Sequence, residues 1–206
     1  TGSGKTTIVD IILGLLKPNH GELKIDGKAI DEDNVKDWQN SIGYVPQNIF
    51  LADDTVTANI AFGIKDENID MKRIYESAKT ANIHDFIIND LPLKYSTVIG
   101  ERGSRLSGGQ CQRIGFARAL YHNPKVLILD EATSSLDNLT EHKIIEALHN
   151  MSKKITIIIV AHRLSTVKRS DNIFLLNKGK LMNKGTFDEL IKDSKHFLNM
   201  YKIPTD

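Results

Sequence analysis

The chain has 206 residues, of which 40% are hydrophobic, 26% charged and 6% aromatic, which is enough to bury a core and too apolar for disorder. Lysine and arginine number 27 against 26 aspartates and glutamates, so the net charge of +1 sets up no general field for nucleic acid or an anionic membrane. The single cysteine, Cys111, excludes an internal disulfide framework and a cysteine-rich zinc site, and no apolar run approaches the roughly 18 residues of a membrane span.

In chain order, residues 1 to 17 read as a glycine-rich loop feeding a helix. Ile8, Ile11, Ile12, Leu15 and Leu16 recur at helical spacing, and Pro18 ends the run. Glu22 to Asp26 alternates and meets Gly27, which predicts a strand and a tight turn. Ile42 to Val45 is a second strand, closed by Pro46. From Thr55 to Tyr121 the pattern is mainly helical, with Asp70 able to cap one helix. Ser107 and Gln110 have capping-box spacing at the head of another, which Asn123-Pro124 ends. Val126 to Leu129 is a continuous apolar run, the mark of a strand covered on both faces. A helix with Ile144, Ile145 and Leu148 on one side follows, then a second buried strand over Ile155 to Val160. Asn172–Leu176 and Lys180–Met182 predict a hairpin turning at Gly179, and Thr186 with Glu189 opens a last helix. Trp38 is expected to cap the small β region, and Lys178, Lys180 and Lys184 to form a solvated face. Strands alternating with helices imply an α/β fold with a parallel sheet, and the central helical stretch reads as an insertion.

Three motifs carry chemistry. Gly4-Lys5-Thr6 heads a helix and matches the end of the phosphate-loop pattern, whose first glycine would lie upstream of Thr1. The chain thus starts inside the motif and lacks an initiator methionine, so a fragment of a longer protein is expected. Glycines there let backbone N–H groups face phosphate oxygens, Lys5 can bridge β- and γ-phosphates, and Thr6 can ligate Mg²⁺. The alternative is a surface glycine turn that happens to contain lysine. The second motif, Leu127-Ile128-Leu129-Asp130-Glu131, puts two carboxylates at the C-terminal edge of a strand, where α/β ligand sites sit. Asp130 is placed to hold a Mg²⁺ hydration shell and Glu131 to orient an attacking water, unless the pair merely caps the next helix. The third is Leu106-Ser107-Gly108-Gly109-Gln110, a second anion-binding helix start.

Leu-Ser-Gly-Gly-Gln about 20 residues before such a strand resembles the signature of the ATP-binding-cassette (ABC) family. Gln112-Arg113 and Ala117 to Leu120 extend the likeness. Tyr44-Val45-Pro46-Gln47 is similar to the family's Q-loop, Ser134 to Asp137 to its D-loop, and Val160 to Arg163 to its switch histidine. The resemblance runs from Thr1 to about Phe197. It implies a P-loop NTPase with a RecA-like core, a small antiparallel β region and an inserted α-helical subdomain. The core would be 1–50 with 123–206, and the helical subdomain 51–122. It implies ATP and Mg²⁺ as ligands and two nucleotide-binding domains, identical or not, paired head to tail. Each ATP would be held by Thr1, Gly2, Ser3, Gly4, Lys5, Thr6 and Thr7 of one copy and by Ser107, Gly108, Gly109 and Gln110 of the other. By the same resemblance Thr6, Gln47 and Asp130 would bind Mg²⁺, Gln47 would sense the γ-phosphate, and Glu131 would be the catalytic base. His162 would contact the γ-phosphate and the water, and Asp137 would cross the dimer interface. Cys111, Phe116 and Ser135 depart from common family choices without removing a catalytic group. The strand before the phosphate loop and the adenine-stacking aromatic would lie upstream.

Thr97 to Gly103, Thr57 to Gly63 and His162 to Val167 resemble exporter segments, and Asp53-Asp54-Thr55-Val56 is more similar to flippases for lipid-linked oligosaccharides. The expected function is therefore the ATP-hydrolysing part of an exporter. It would sit at the cytoplasmic face of the membrane, attached through transmembrane domains outside this chain. No nucleic acid partner is expected. The rival readings are a soluble ABC-type ATPase acting on ribosomes or DNA, an importer ATPase subunit, and a nucleotide-binding clamp without turnover.

Overall fold

The computed structural model describes residues 3–133, 135–152, 154–161, 163–194 and 197. In chain order the elements are α1 (Lys5–Ile12), β1 (Lys24–Ile25), β2 (Lys28–Ala29), α2 (Val35–Asn40), β3 (Ile42–Val45), α3 (Val56–Ile60), α4 (Met71–Thr80), α5 (His84–Asn89), α6 (Gly108–Tyr121), β4 (Val126–Asp130), α7 (Asn138–Met151), β5 (Thr156–Val160), α8 (Leu164–Val167), β6 (Ile173–Asn177), β7 (Lys180–Gly185) and α9 (Phe187–Asp193). They form two compact units, one of residues 1–39 and 159–206 and the other of residues 40–158.

In the first unit α1 ends earlier than the sequence pattern suggests. Gly14 takes φ +69°, its N–H bonds the Ile11 carbonyl at 3.0 Å, and the Leu15 N–H bonds the Asp10 carbonyl at 2.8 Å. That pair of bonds is a Schellman stop, which a glycine can enter without strain. Gly14 therefore ends the helix, not Pro18, and Leu15 and Leu16 lie beyond it, exposed. β1 and β2 form a short antiparallel pair across the turn at Asp26-Gly27. Trp38 is buried, but its indole N–H donates to the Ile12 carbonyl at 2.6 Å, so it closes the end of α1 rather than the β pair. The hairpin of β6 and β7 forms as expected, with a register shift at Leu175/Leu176. Leu175, Phe187, Leu190 and Phe197 make a small core, with Phe187 and Phe197 edge to face at 5.6 Å. Thr186 and Glu189 close the expected capping box of α9.

The second unit holds the central sheet and the helical stretch. β3 and β4 pair in parallel, Ile42 opposite Val126 through Val45 opposite Leu129. The order is β3-β4-β5, so β4 is the middle strand, and Leu127, Ile128 and Leu129 are buried to within 1%. β5 lies at the edge of that order, and its residues are half-buried with Thr156 exposed. The sequence predicts a buried strand here, and the structure shows it half-buried. Asp70 caps α4, accepting from the Lys72 and Arg73 N–H groups, as its position predicts. Arg118 of α6 donates to the Asn59 carbonyl at 2.7 Å, to the Phe50 carbonyl at 2.7 Å and to Asn59 Oδ1 at 3.1 Å. Its guanidinium also lies 4.8 Å from the Phe62 ring centre. Asn59, fully buried, bonds back to both the N–H and the carbonyl of Ala52. Arg118 and Asn59 thus bind the segment after β3 to α3 and α6.

Candidate functional site

The phosphate loop can be followed from Ser3. Gly4 has φ +88° and stands just before α1, and its carbonyl accepts the first helical bond from the Ile8 N–H at 3.1 Å. A non-glycine residue would be strained there. The Lys5 ammonium turns back over the loop and donates to Ser3 Oγ at 3.1 Å. Thr6 and Thr7 are exposed on the first turn of α1. The first turn has no acidic side chain, so an anion there meets the helix N-terminus without competition from its own helix. Thr1 and Gly2 lie outside the described residues.

The carboxylate motif also takes its expected local form. The parallel pairing of β4 carries Asp130 to the C-terminal end of the strand. Glu131, the next residue, has φ +51°, a left-handed conformation that is uncommon for any side chain except glycine, asparagine and aspartate. Gln47, two residues past β3, donates from Nε2 to Glu131 Oε2 at 2.8 Å. Because β3 and β4 are adjacent and parallel, the loops leaving their C-terminal ends emerge side by side, and this is what brings residues 47 and 131 together. Glu131 does not cap the next helix. Asp137 does, accepting the Thr140 N–H at 3.0 Å.

The signature segment begins α6. Ser107 and Gln110 form the reciprocal capping box predicted from spacing, with the Ser107 N–H bonding Gln110 Oε1 at 2.7 Å and the Gln110 N–H bonding Ser107 Oγ at 3.3 Å. This start packs on the segment leading to Asp137. A Cβ on Gly109 would meet the Ser135 carbonyl at 3.2 Å and Leu136 Cδ2 at 3.6 Å, while Gly108 faces Ser135 Cβ. Arg113, one turn along, donates to the carbonyls of Gly109 and Asn82. Burial pulls its guanidinium below the ordinary value, and the Asp137 carboxylate pushes back up. The Thr140 backbone N–H holds the Asp137 carboxyl below the usual carboxylate range. Cys111 is half-buried beside Gly103, and burial raises its thiol, as for a cysteine that packs as a small apolar side chain.

Within the second unit, therefore, Gln47 meets Glu131, and the Ser107–Gln110 start meets the approach to Asp137. Within the first, Ser3, Gly4 and Lys5 form one loop. His162 lies outside the described residues, as does Ser134. Sequence reasoning missed two polar contacts. Thr133 Oγ1 donates to Glu141 Oε1 at 2.9 Å in a buried pair that ties the loop after Glu131 to α7. Neither residue belongs to a spacing motif. The Arg118–Asn59 cluster was equally hidden, because its partners are 59 positions apart. Among the described residues no group of three or more His, Cys, Asp or Glu could hold a metal unaided. No helix among them is long and apolar enough to cross a membrane.

A family model described as ABC transporter matches residues 1–134. An ATP-dependent lipid A-core flippase of Saccharophagus degradans is 45% identical over 201 residues, 98% of this chain and 34% of that protein. Multidrug resistance protein 1 of Entamoeba histolytica is 44% identical over 198 residues, 96% of this chain and 15% of that protein. A solved bacterial Atm1-family ABC exporter with ATP bound superposes with a TM-score of 0.91 at 37% identity, over 98% of this chain and 35% of that one. The chain thus spans about a third or less of the length of these relatives.

Proposed function

Since the chain belongs to the ABC transporter family, we propose that it is the ATP-binding and ATP-hydrolysing domain that powers an exporter. The observation that carries this reading is the Gln47–Glu131 hydrogen bond at the end of β4, in a chain that also keeps a phosphate-loop lysine and threonine. A clamp without turnover has no need to hold a strained glutamate at a strand edge. The relatives named for lipid A-core and for multidrug resistance are almost equally similar, at 45% and 44% identity, so they support export without choosing a cargo.

In this reading Ser3, Gly4 and Thr7 present backbone N–H groups to the phosphates and Lys5 neutralises them. Thr6, Gln47 and Asp130 would hold Mg²⁺. Such an ion would arrive with the nucleotide and keep most of its waters. Bound there, it would neutralise charge developing on the phosphoryl oxygens. Glu131 orients and deprotonates the attacking water, and the Gln47 amide holds its carboxylate in one rotamer. His162 contacts the γ-phosphate. Ser107, Gly108, Gly109 and Gln110 serve the nucleotide of a second nucleotide-binding domain paired head to tail, and Asp137 couples the two sites. Residues 51–122 act as the helical subdomain that faces transmembrane domains at the cytoplasmic side of the membrane. ATP closes the pair, closure moves the membrane domains, and hydrolysis resets them.

Glu131→Gln tests the assignment in the full-length protein. Binding of a fluorescent ATP analogue is expected to persist while phosphate release falls by about 10²-fold or more, the usual loss when a placed general base is removed. Unchanged turnover would defeat the reading.

A further inference from the structure

The turn between β6 and β7 has no role in the chemistry described above, yet it touches the phosphate loop. Both belong to the first compact unit. Asn177 pairs with Lys180, so the turn has two central residues, Lys178 at φ +47° and Gly179 at φ +73°. Such paired left-handed angles mark a type I′ turn, whose twist suits a tight hairpin. The Gly179 N–H donates to the Ser3 carbonyl at 3.0 Å. The approach is close: a Cβ on Gly4 would meet Gly179 Cα at 3.2 Å.

We infer that Gly179 is a positioning residue for the phosphate loop, and this inference rests on the ATP-binding reading above. The Ser3 carbonyl and the Gly4 N–H belong to one peptide unit. That unit is planar and trans, so its carbonyl and its N–H point in opposite directions. Fixing the carbonyl on Gly179 therefore fixes the direction of the Gly4 N–H, which is aimed away from the hairpin. A phosphate-binding loop works by turning its amides inward. Each inward N–H leaves a carbonyl facing outward, and an outward carbonyl inside a fold needs a donor. Gly179 supplies that donor for the peptide just before α1. Lys5 reaches back to Ser3 Oγ, so the same residue is held from two sides, by its carbonyl and by its hydroxyl.

The geometry separates the donor from bulk. A Cβ on Gly179 itself would have nothing within 4 Å, so a side chain there has room, and only the backbone angle and the N–H are at stake. Asparagine keeps the N–H and tolerates left-handed angles. Valine keeps the N–H and resists those angles, and proline removes the N–H and fixes φ near −65°.

The experiment uses the full-length protein and a fluorescent ATP analogue, with steady-state ATPase kinetics and the nucleotide-free melting temperature recorded for each variant. For Gly179→Pro the analogue Kd and the KM for ATP are expected to rise together by about tenfold, the effect of one lost hydrogen bond in a preorganised site, while kcat changes less than twofold. Gly179→Val is expected to raise both constants several-fold. Gly179→Asn is expected to stay within about twofold of the parent. A merely structural role would lower the melting temperature and the active fraction without moving KM. Should the proline variant fail to fold, the contrast between valine and asparagine decides. Equal KM values for valine, asparagine and the parent overturn the inference. A parent protein that does not bind the analogue overturns the ATP-binding reading, and the inference falls with it.

Discussion

Glu131 shows how a single residue can be legible in chemistry and hidden in conformation. Its position one past Asp130, after four apolar residues, announces a carboxylate at a strand edge. Nothing in that pattern announces φ +51°. A left-handed angle costs a residue with a Cβ about 1 kcal/mol relative to glycine. If the angle is kept for function, a glycine there should release that cost. Both Glu131→Gly and Glu131→Ala lose the Gln47 hydrogen bond and are expected to abolish turnover, but only glycine is relieved of the angle, so the glycine variant is expected to be about 1 kcal/mol more stable than the alanine variant. Local hydrogen exchange around residues 129–133 would measure the stability difference and phosphate release the turnover. Exchange as fast in the glycine variant as in the alanine variant would show that the angle costs nothing. Asp137 was legible in another sense. Its place in a motif was plain, but its function as N-cap of α7 came only from the Thr140 contact.

At the scale of elements, the parts that rest on local rules were legible and the parts that rest on neighbours were not. Both capping boxes, the Asp70 cap and the hairpin at Gly179 follow from residues within a few positions of one another. The early end of α1 at Gly14 was also local, but the apolar period continued past it and masked the stop. Arg118 is the strongest case. It anchors the loop after β3 through carbonyls at Phe50 and Asn59, on which no periodicity bears. A guanidinium serves two carbonyls and an amide oxygen at once, whereas an ammonium cannot match that fork. Arg118→Lys is expected to leave α6 helical and to lose about 1–3 kcal/mol of local stability. Amide exchange over residues 50–61 should then speed by about tenfold or more. Exchange that stays at the parent rate would show that Asn59 alone holds the segment, through its own bonds to Ala52.

At the scale of the whole molecule, charge divides the exporter reading from its soluble rivals. A protein that acts on ribosomes or DNA must neutralise several phosphates, and its affinity then falls steeply with salt. Within these 206 residues 27 basic residues face 26 acidic ones, and no run of basic residues concentrates the positive charge. The chain also covers only about a third of the flippase and exporter relatives, and the proposed coupling of hydrolysis to export would rest on the remainder of such a protein. The two facts lead to one expectation for the full-length protein. Adding duplex DNA, or ribosomes, should leave the ATPase rate unchanged within about 20%, at low salt as well as at physiological salt, where electrostatic binding differs by orders of magnitude for a true nucleic-acid partner. On the exporter reading proposed above, moving the same protein from detergent into lipid bilayers should change the rate, because a membrane part would bias the equilibrium between open and closed nucleotide-binding domains. A rate raised by DNA or ribosomes and lowered again by salt would transfer the chain to the soluble reading, and the near-neutral composition would then have concealed a local basic face.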